Sequence, residues 1–241
     1  MPGSDTPIDE RVAKLHEMLV EQGEAVHGLV ERAVRSIFEK DADAAARVIT
    51  DDEAIDNRDI EIERHAVSIL SDAVATVSEM TAYDLRMILT IVKVNNELER
   101  IADLAVGVAE RIEPFRALSA SPPAKFEVMG NSIIGIVSNT KAALGSRDVE
   151  VARIVLATDD ATEMFRNAIL REVEESLAAG EHTPDYALTL SKVAYLLGRI
   201  ADHCTNVAEQ VIYVETGKIV RHMDNAWSEP MEPTCGDAPG G

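Results

Sequence analysis

The chain is written twice. Glu99-Arg-Ile-Ala-Asp103-Leu-Ala-Val-Gly-Val-Ala-Glu110 reappears as Gly198-Arg-Ile-Ala-Asp202-His-Cys-Thr-Asn-Val-Ala-Glu209, 99 positions on. Upstream, Gly23, Gly28, Asp43, Asp52 and Asp56 recur as Gly130, Gly135, Glu150, Asp159 and Glu163, each 107 positions on. A repeat of this length is a structural unit, and any fold must satisfy the same pattern in both copies. The 241 residues therefore divide into two related units of about a hundred residues each.

Each unit is predicted to be helical. Aromatic residues are 4% of the chain, too few for sheets, while Ala, Leu, Val, Ile, Glu and Arg dominate. The nine prolines lie at positions 2, 7, 114, 122, 123, 184, 230, 233 and 239, which leaves 8–113 and 124–183 free of helix breakers. Periodicity places helices over roughly 9–39, 42–79, 82–112, 125–145, 148–179 and 185–215, with Asp41 and Asp148 as helix starts. Apolar residues at 3-4 spacing run through the third helix (Ile91, Val94, Leu98, Ile101, Ala105, Val108, Ile112) and the sixth (Leu190, Val193, Leu197, Ile200, Cys204, Val207, Val211, Val214). Such seams bury a narrow stripe against antiparallel neighbours. The expected fold is all-α: two tandem, sequence-related three-helix bundles, elongated because a helix of ~30 residues is ~45 Å long. The expected division is a disordered N-terminus 1–8, a first bundle 9–113, a linker 114–124, a second bundle 125–221 and a disordered tail 222–241.

Charge excludes one class of partner. A formal charge of −20 and a pI near 4.6 argue against a phosphate backbone, so no nucleic acid is expected. Cations and basic protein surfaces are the attracted species. No apolar run approaches the ~20 residues that span a bilayer, and the N-terminus lacks the basic and apolar regions of a signal peptide, so a cytoplasmic location is expected. Cys204, in a helical pattern, and Cys235, in a Gly/Pro tail, predict neither a structural disulfide nor a zinc cluster.

Carboxylates are where the sequence suggests chemistry. Asp52, Asp56, Asp59 and Glu63 follow i, i+4, i+7, i+11 along the second helix, and Glu99 and Asp103 share a face of the third, away from its seam. Like charges at this spacing repel by a few tenths of a kcal/mol per pair, so something should compensate. One compensation is a wet surface on which Arg58, Arg64 and Arg100 neutralise the stripe. The other is a hard-cation site with oxygen ligands from two helices, suited to iron, manganese or magnesium. The stripes alone also admit a metal-dependent hydrolase or oxidase with a multinuclear carboxylate site.

Other chemistries lack their signatures. His65, His182, His203 and His222 form no Glu-x-x-His or His-x-x-x-His pair, and no nucleophile elbow or phosphate loop is present. His203 reads as a polar boundary residue ahead of a ligand, and Arg86 as a cap or clamp on a neighbouring helix ahead of an anion-binding group. Asn206 is placed to bond across helices, while Gly107, at the equivalent place, marks a close helix approach.

Asp-Asp-Glu-Ala-Ile-Asp (51–56), Ala-Tyr-Asp-Leu-Arg (82–86), Glu-Leu-Glu-Arg-Ile-Ala-Asp (97–103) and Arg-Ile-Ala-Asp-His-Cys-Thr-Asn-Val-Ala-Glu (199–209), taken together in this order, resemble the PhoU family of phosphate-uptake regulators over about residues 9–222. The resemblance implies a cytoplasmic, often dimeric, non-enzymatic negative regulator of the phosphate-starvation (Pho) response. It implies an adaptor between the ATPase subunit of the Pst phosphate ABC transporter and a sensor histidine kinase, meeting the membrane only through those partners. It also implies a divalent or trivalent metal ion, iron, manganese, magnesium or zinc, on Glu/Asp-x-x-x-Asp pairs. These map onto Asp52/Asp56 with Glu99/Asp103 in the first half, and onto Asp159/Glu163 with Asp202 in the second. There Gly198 stands where the family has an acidic residue, so the second site is expected to be weaker or absent. Gly107 also departs from the family's Asn, which Asn206 retains.

Overall fold

A computed structural model describes residues 7–76, 80–117, 122–223 and 226–228; side chains at 76, 159, 160, 221–223 and 226–228 lie outside that description. The first bundle consists of α1 (Ile8–Glu39), α2 (Ala42–Thr76) and α3 (Ala82–Ala109). A short α4 (Ile112–Ala117) leads to the second, made of α5 (Ala124–Ser146), α6 (Val149–Leu156), α7 (Asp159–Ala178) and α8 (Pro184–Thr216). The fold is all-α with two three-helix units, as the repeat predicts. Beyond α8, β1 (Arg221–Met223) and β2 (Ala226–Ser228) pair antiparallel, within the stretch expected to be an unstructured tail.

The duplication reaches the turns. α1 and α5 end on non-glycine residues in the left-handed region, Lys40 (φ 55) and Arg147 (φ 54), which are equivalent positions. Each is followed by an aspartate. Asp41 Oδ1 accepts from Ala44 N at 2.9 Å, and Asp148 Oδ1 from Glu150 N at 2.8 Å, satisfying free N–H groups at the next helix start. Thr81 and Asp84 form a capping box on α3.

The copies differ in their second helix. α2 runs unbroken, whereas its equivalent is split at Ala157 and Thr158 into α6 and α7. Thr158 Oγ1 donates to Val155 O at 2.6 Å, a local bond that competes with the helix ladder. In α2 two buried amides grip the helix from either side. Gln22 Nε2 of α1 donates to Ile55 O at 2.9 Å, and Asn95 Nδ2 of α3 to Asp59 O at 3.1 Å. Their equivalents, Met129 and Ala194, carry no amide.

Every residue of the two predicted seams is buried, and α3 and α8 bury more than those seams. The narrow stripe is therefore only part of the picture: Ala201, Ala208 and Ile212 of α8 are also buried because α8 packs against α3, as α1 packs against α5. Equivalent helices thus meet each other, and one continuous apolar core runs through both bundles. Residues expected to form a linker contribute to it. Phe115 of α4 is 1% exposed and stacks on Phe126 of α5 at 5.9 Å, while Phe38 of α1 meets Phe126 edge-on at 5.8 Å.

The Tyr83-Asp-Leu-Arg86 motif joins the bundles at one end. Arg86 Nε donates to Val214 O at 3.2 Å in the last turn of α8, where carbonyls are unpaired and a cation is favoured, so its role is the clamp. Its guanidinium also lies over Gly217, whose φ of 74 makes it the left-handed cap of α8. Arg147 Nη1 donates to Tyr83 Oη at 2.9 Å, and Tyr83 Oη to Glu215 Oε1 at 3.3 Å. No helix among the described residues is long and apolar enough to cross a membrane.

Candidate functional site

In the first half, the α2 stripe and the α3 pair face each other. Asp52 is only partly exposed, and its carboxyl is pushed up to about 6 by burial and then by the charges of Asp56 and Asp103. Burial and the neighbouring Asp103 likewise raise Glu99, with Asp59 and Asp56 adding to the shift. Burial, Glu63 and Asp56 raise Asp59, although Asn95 Nδ2 donates to its Oδ1 at 2.6 Å. The mutual influence of these groups shows one electrostatic unit, with Asp56 and Asp103 at its exposed rim.

Among the described residues no arginine is ion-paired to it, and the Arg100 charge only partly offsets the rise at Glu99. Arg58 turns away to Glu21, and Arg100 donates Nε to Asn96 Oδ1 at 3.2 Å. None of Asp52, Asp56, Asp59, Glu63, Glu99 or Asp103 sits in an ion pair among the described residues. Asp52 Oδ1 is buried and has no hydrogen-bond partner, a state that costs roughly 1–3 kcal/mol for a neutral group and more for a charge. A hard-oxygen donor set with an orphaned buried oxygen fits a divalent or trivalent cation. Among the described residues no three His, Cys, Asp or Glu side chains converge on one point, so binding requires these side chains to turn toward an ion.

The second half is built differently. Asp159 opens α7, and its side chain lies outside the described residues. Glu163 accepts from Arg166 Nη2 at 3.3 Å, and Asp202 from Arg199 Nη1 at 3.1 Å. The two carboxylates whose side chains are described each have an arginine partner on their own helix, unlike those of the first half.

Between the halves lies a polar cluster that the repeat alone did not reveal. His203 Nδ1 and Asn206 Nδ2 of α8 lie 2.7 Å and 3.0 Å from Glu97 Oε2 of α3. Burial would raise Glu97, but its hydrogen bonds to His203 and Asn206 hold the carboxyl below its ordinary value. At the mirrored crossing the equivalents are Leu196 and Gly107, and a Cβ on Gly107 would meet Leu196 at 3.5 Å. One crossing is polar and the other apolar. Asn206 therefore bonds across helices as its sequence position suggests, and Glu97 is the residue overlooked. Its signal was available, since Glu97 precedes Glu99 in a motif whose other copy reads Leu196.

Two grooves flank these residues. One of 510 Å³ lies between α1 and α2, lined by Glu21, Arg32, Asp51 and Arg58 among others; another of 600 Å³ lies between α3 and α8 beside Glu97 and Asn206. Neither is lined by Asp52, Asp56, Glu99 or Asp103. Cys204 is fully buried, and burial pushes its thiol up to about 12, which leaves it unreactive.

Comparison with known proteins agrees with the doubled architecture. The PhoU domain matches residues 19–112 and again 126–211. The phosphate-specific transport system accessory protein PhoU homolog 1 of Thermotoga maritima is 31% identical over 192 residues, covering 77% of this chain and 79% of its own. The PhoU homolog of Zymomonas mobilis is 31% identical over 216 residues, covering 88% of this chain and 87% of its own. Among solved structures, PhoU from Pseudomonas aeruginosa superposes with a TM-score of 0.81 at 26% identity, covering 88% of this chain and all of its own. The phosphate transport system regulatory protein PhoU from Streptococcus pneumoniae shares the fold, with a TM-score of 0.80 at 20% identity, covering 89% of this chain and all of its own. With a PhoU domain in each half, on the residues that form each three-helix unit, the chain belongs to the PhoU family.

Proposed function

We propose that this chain is an accessory regulator of phosphate uptake, a non-enzymatic adaptor that holds the phosphate-starvation response off while phosphate is plentiful. The observation that carries this reading is the doubled PhoU domain, together with relatives described as accessory proteins of the phosphate-specific transport system. In this reading the chain works in the cytoplasm as a homodimer. Its helical faces dock the ATPase subunit of the phosphate ABC transporter and a sensor histidine kinase, and it reaches the membrane only through them.

The first-half carboxylates supply a cation-dependent part of that surface. Asp52, Asp56, Glu99 and Asp103 would hold iron, manganese, magnesium or zinc, with the buried Asp52 Oδ1 as the inner oxygen. A bound cation supplies the positive charge that cancels repulsion between the α2 and α3 stripes. The chain's own residues set the geometry: Gln22 and Asn95 fix α2 against α1 and α3, and Asn95 positions Asp59.

Deletion in the native host is the test of the regulatory reading. Starvation genes should be expressed, and phosphate uptake should escape control, in medium with ample phosphate. Normal repression in the deletion strain would overturn the proposal.

A further inference from the structure

The second carboxylate face lacks the first-half carboxylate at three positions; Leu170 stands for Glu63, and the other two differences fit together. Asp59 of α2 corresponds to Arg166 of α7, and Glu99 of α3 to Gly198 of α8. Arg166 donates to Glu163 at 3.3 Å, and its side chain crosses Gly198, where a Cβ would stand 3.3 Å from both Cδ and Nη1. Gly198 lies inside α8 with no left-handed φ, so its missing side chain is needed for room and not for backbone freedom. A glycine inside a helix costs roughly 0.5–1 kcal/mol relative to alanine, and here it gives the guanidinium its place. Asp202, one turn beyond Gly198, has Arg199 at 3.1 Å.

We propose that Arg166 stands in for the cation in the second half: a tethered guanidinium that makes this carboxylate face independent of metal. This rests on the reading that the first half binds a cation. Arginine stays charged at every physiological pH and needs no free ion, so its positive charge is permanent. The duplication has thereby produced one face that responds to cation supply and one that does not.

Mn²⁺ is the probe, read by elemental analysis after dialysis and by the Mn²⁺-induced rise in melting temperature. With the first half silenced by Asp52→Asn and Asp103→Asn, the chain should take up no Mn²⁺ and its melting temperature should not respond. Adding Arg166→Asp and Gly198→Glu, which restore the first-half residues at those two positions, should produce both uptake and response. Uptake by the silenced chain that disappears on Asp202→Asn would overturn the proposal, as would a folded Arg166→Asp/Gly198→Glu chain that stays unresponsive. Should that chain fail to fold, Arg166→Met decides in an otherwise native second half. Its melting temperature should fall and be recovered by Arg166→Lys, and equal losses in both would reject a role for the charge. A wild-type chain that takes up no Mn²⁺ refutes the underlying cation reading, whereas a binding wild type with an unresponsive restored second half refutes the assignment of Arg166 alone.

Discussion

Gly23 and Gly130 occupy the same place in the two copies, yet the structure sets them apart. A Cβ on Gly130 would lie 2.7 Å from the Phe38 ring and 2.9 Å from Val34, at the meeting of α1 and α5, whereas one on Gly23 would meet Leu144 at an ordinary 3.5 Å. Gly130→Ala should therefore cost about 1–3 kcal/mol in denaturant unfolding, because Phe38 must leave its packing on Phe126. Gly23→Ala should be neutral or stabilising, by up to about 1 kcal/mol from helix propensity. Asp52 gives a prediction in pH. Its folded-state carboxyl titrates near 6, above its ordinary 3.8, so the folded protein holds more protons than the unfolded chain between those values. Chelator-treated protein should gain stability relative to Asp52→Asn as pH falls from 7 toward 4, with the raised Asp59 and Glu99 adding to the gain in both, and Asp52→Asn should raise the melting temperature at pH 7. The first-half carboxylates were legible in the sequence because helical spacing puts them on one face, and the second-half ones as their repeat equivalents. Arg166 was not, since its meaning depends on Gly198, which lies on another helix, whereas the Glu97/Leu196 difference was open to a comparison of the two copies.

At the scale of the element, α2 must remain one helix although a row of carboxylates runs along it. Buried Ile55, Ile62 and Ile69 anchor its inner face, and the Gln22 and Asn95 amides add bonds to carbonyls one turn apart. Asn95→Ala should destabilise the protein by about 1–3 kcal/mol and weaken cation uptake by freeing Asp59, as measured by unfolding and elemental analysis. Helix positions were readable from apolar period and proline placement, and Asp41 and Asp148 do begin the helices expected of them. The break at Ala157 and Thr158 was not readable, because Leu-Ala-Thr-Asp-Asp carries no proline or glycine. The break falls in the copy that lacks the amide grip, where Thr158 bonds back to Val155 O. α4 escaped for a different reason: a six-residue helix that contains Pro114 shows no period of its own and is held by Phe115 in the shared core.

For the whole molecule, the decisive arrangement is that equivalent helices pair, α1 with α5 and α3 with α8, so the second copy completes the first. Seams alone predict two bundles but not this shared core, because the residues that join them flank the seams. The joint keeps the two carboxylate faces in one body while their chemistry diverges: among the described residues the first-half face has no ion pair, whereas Glu163 and Asp202 are paired with arginines in the other. Calorimetric titration of Mn²⁺ into chelator-stripped protein separates the two faces. The expected result is binding that Asp103→Ala removes and Asp202→Ala leaves unchanged. Equal loss of binding from Asp103→Ala and Asp202→Ala would contradict the account.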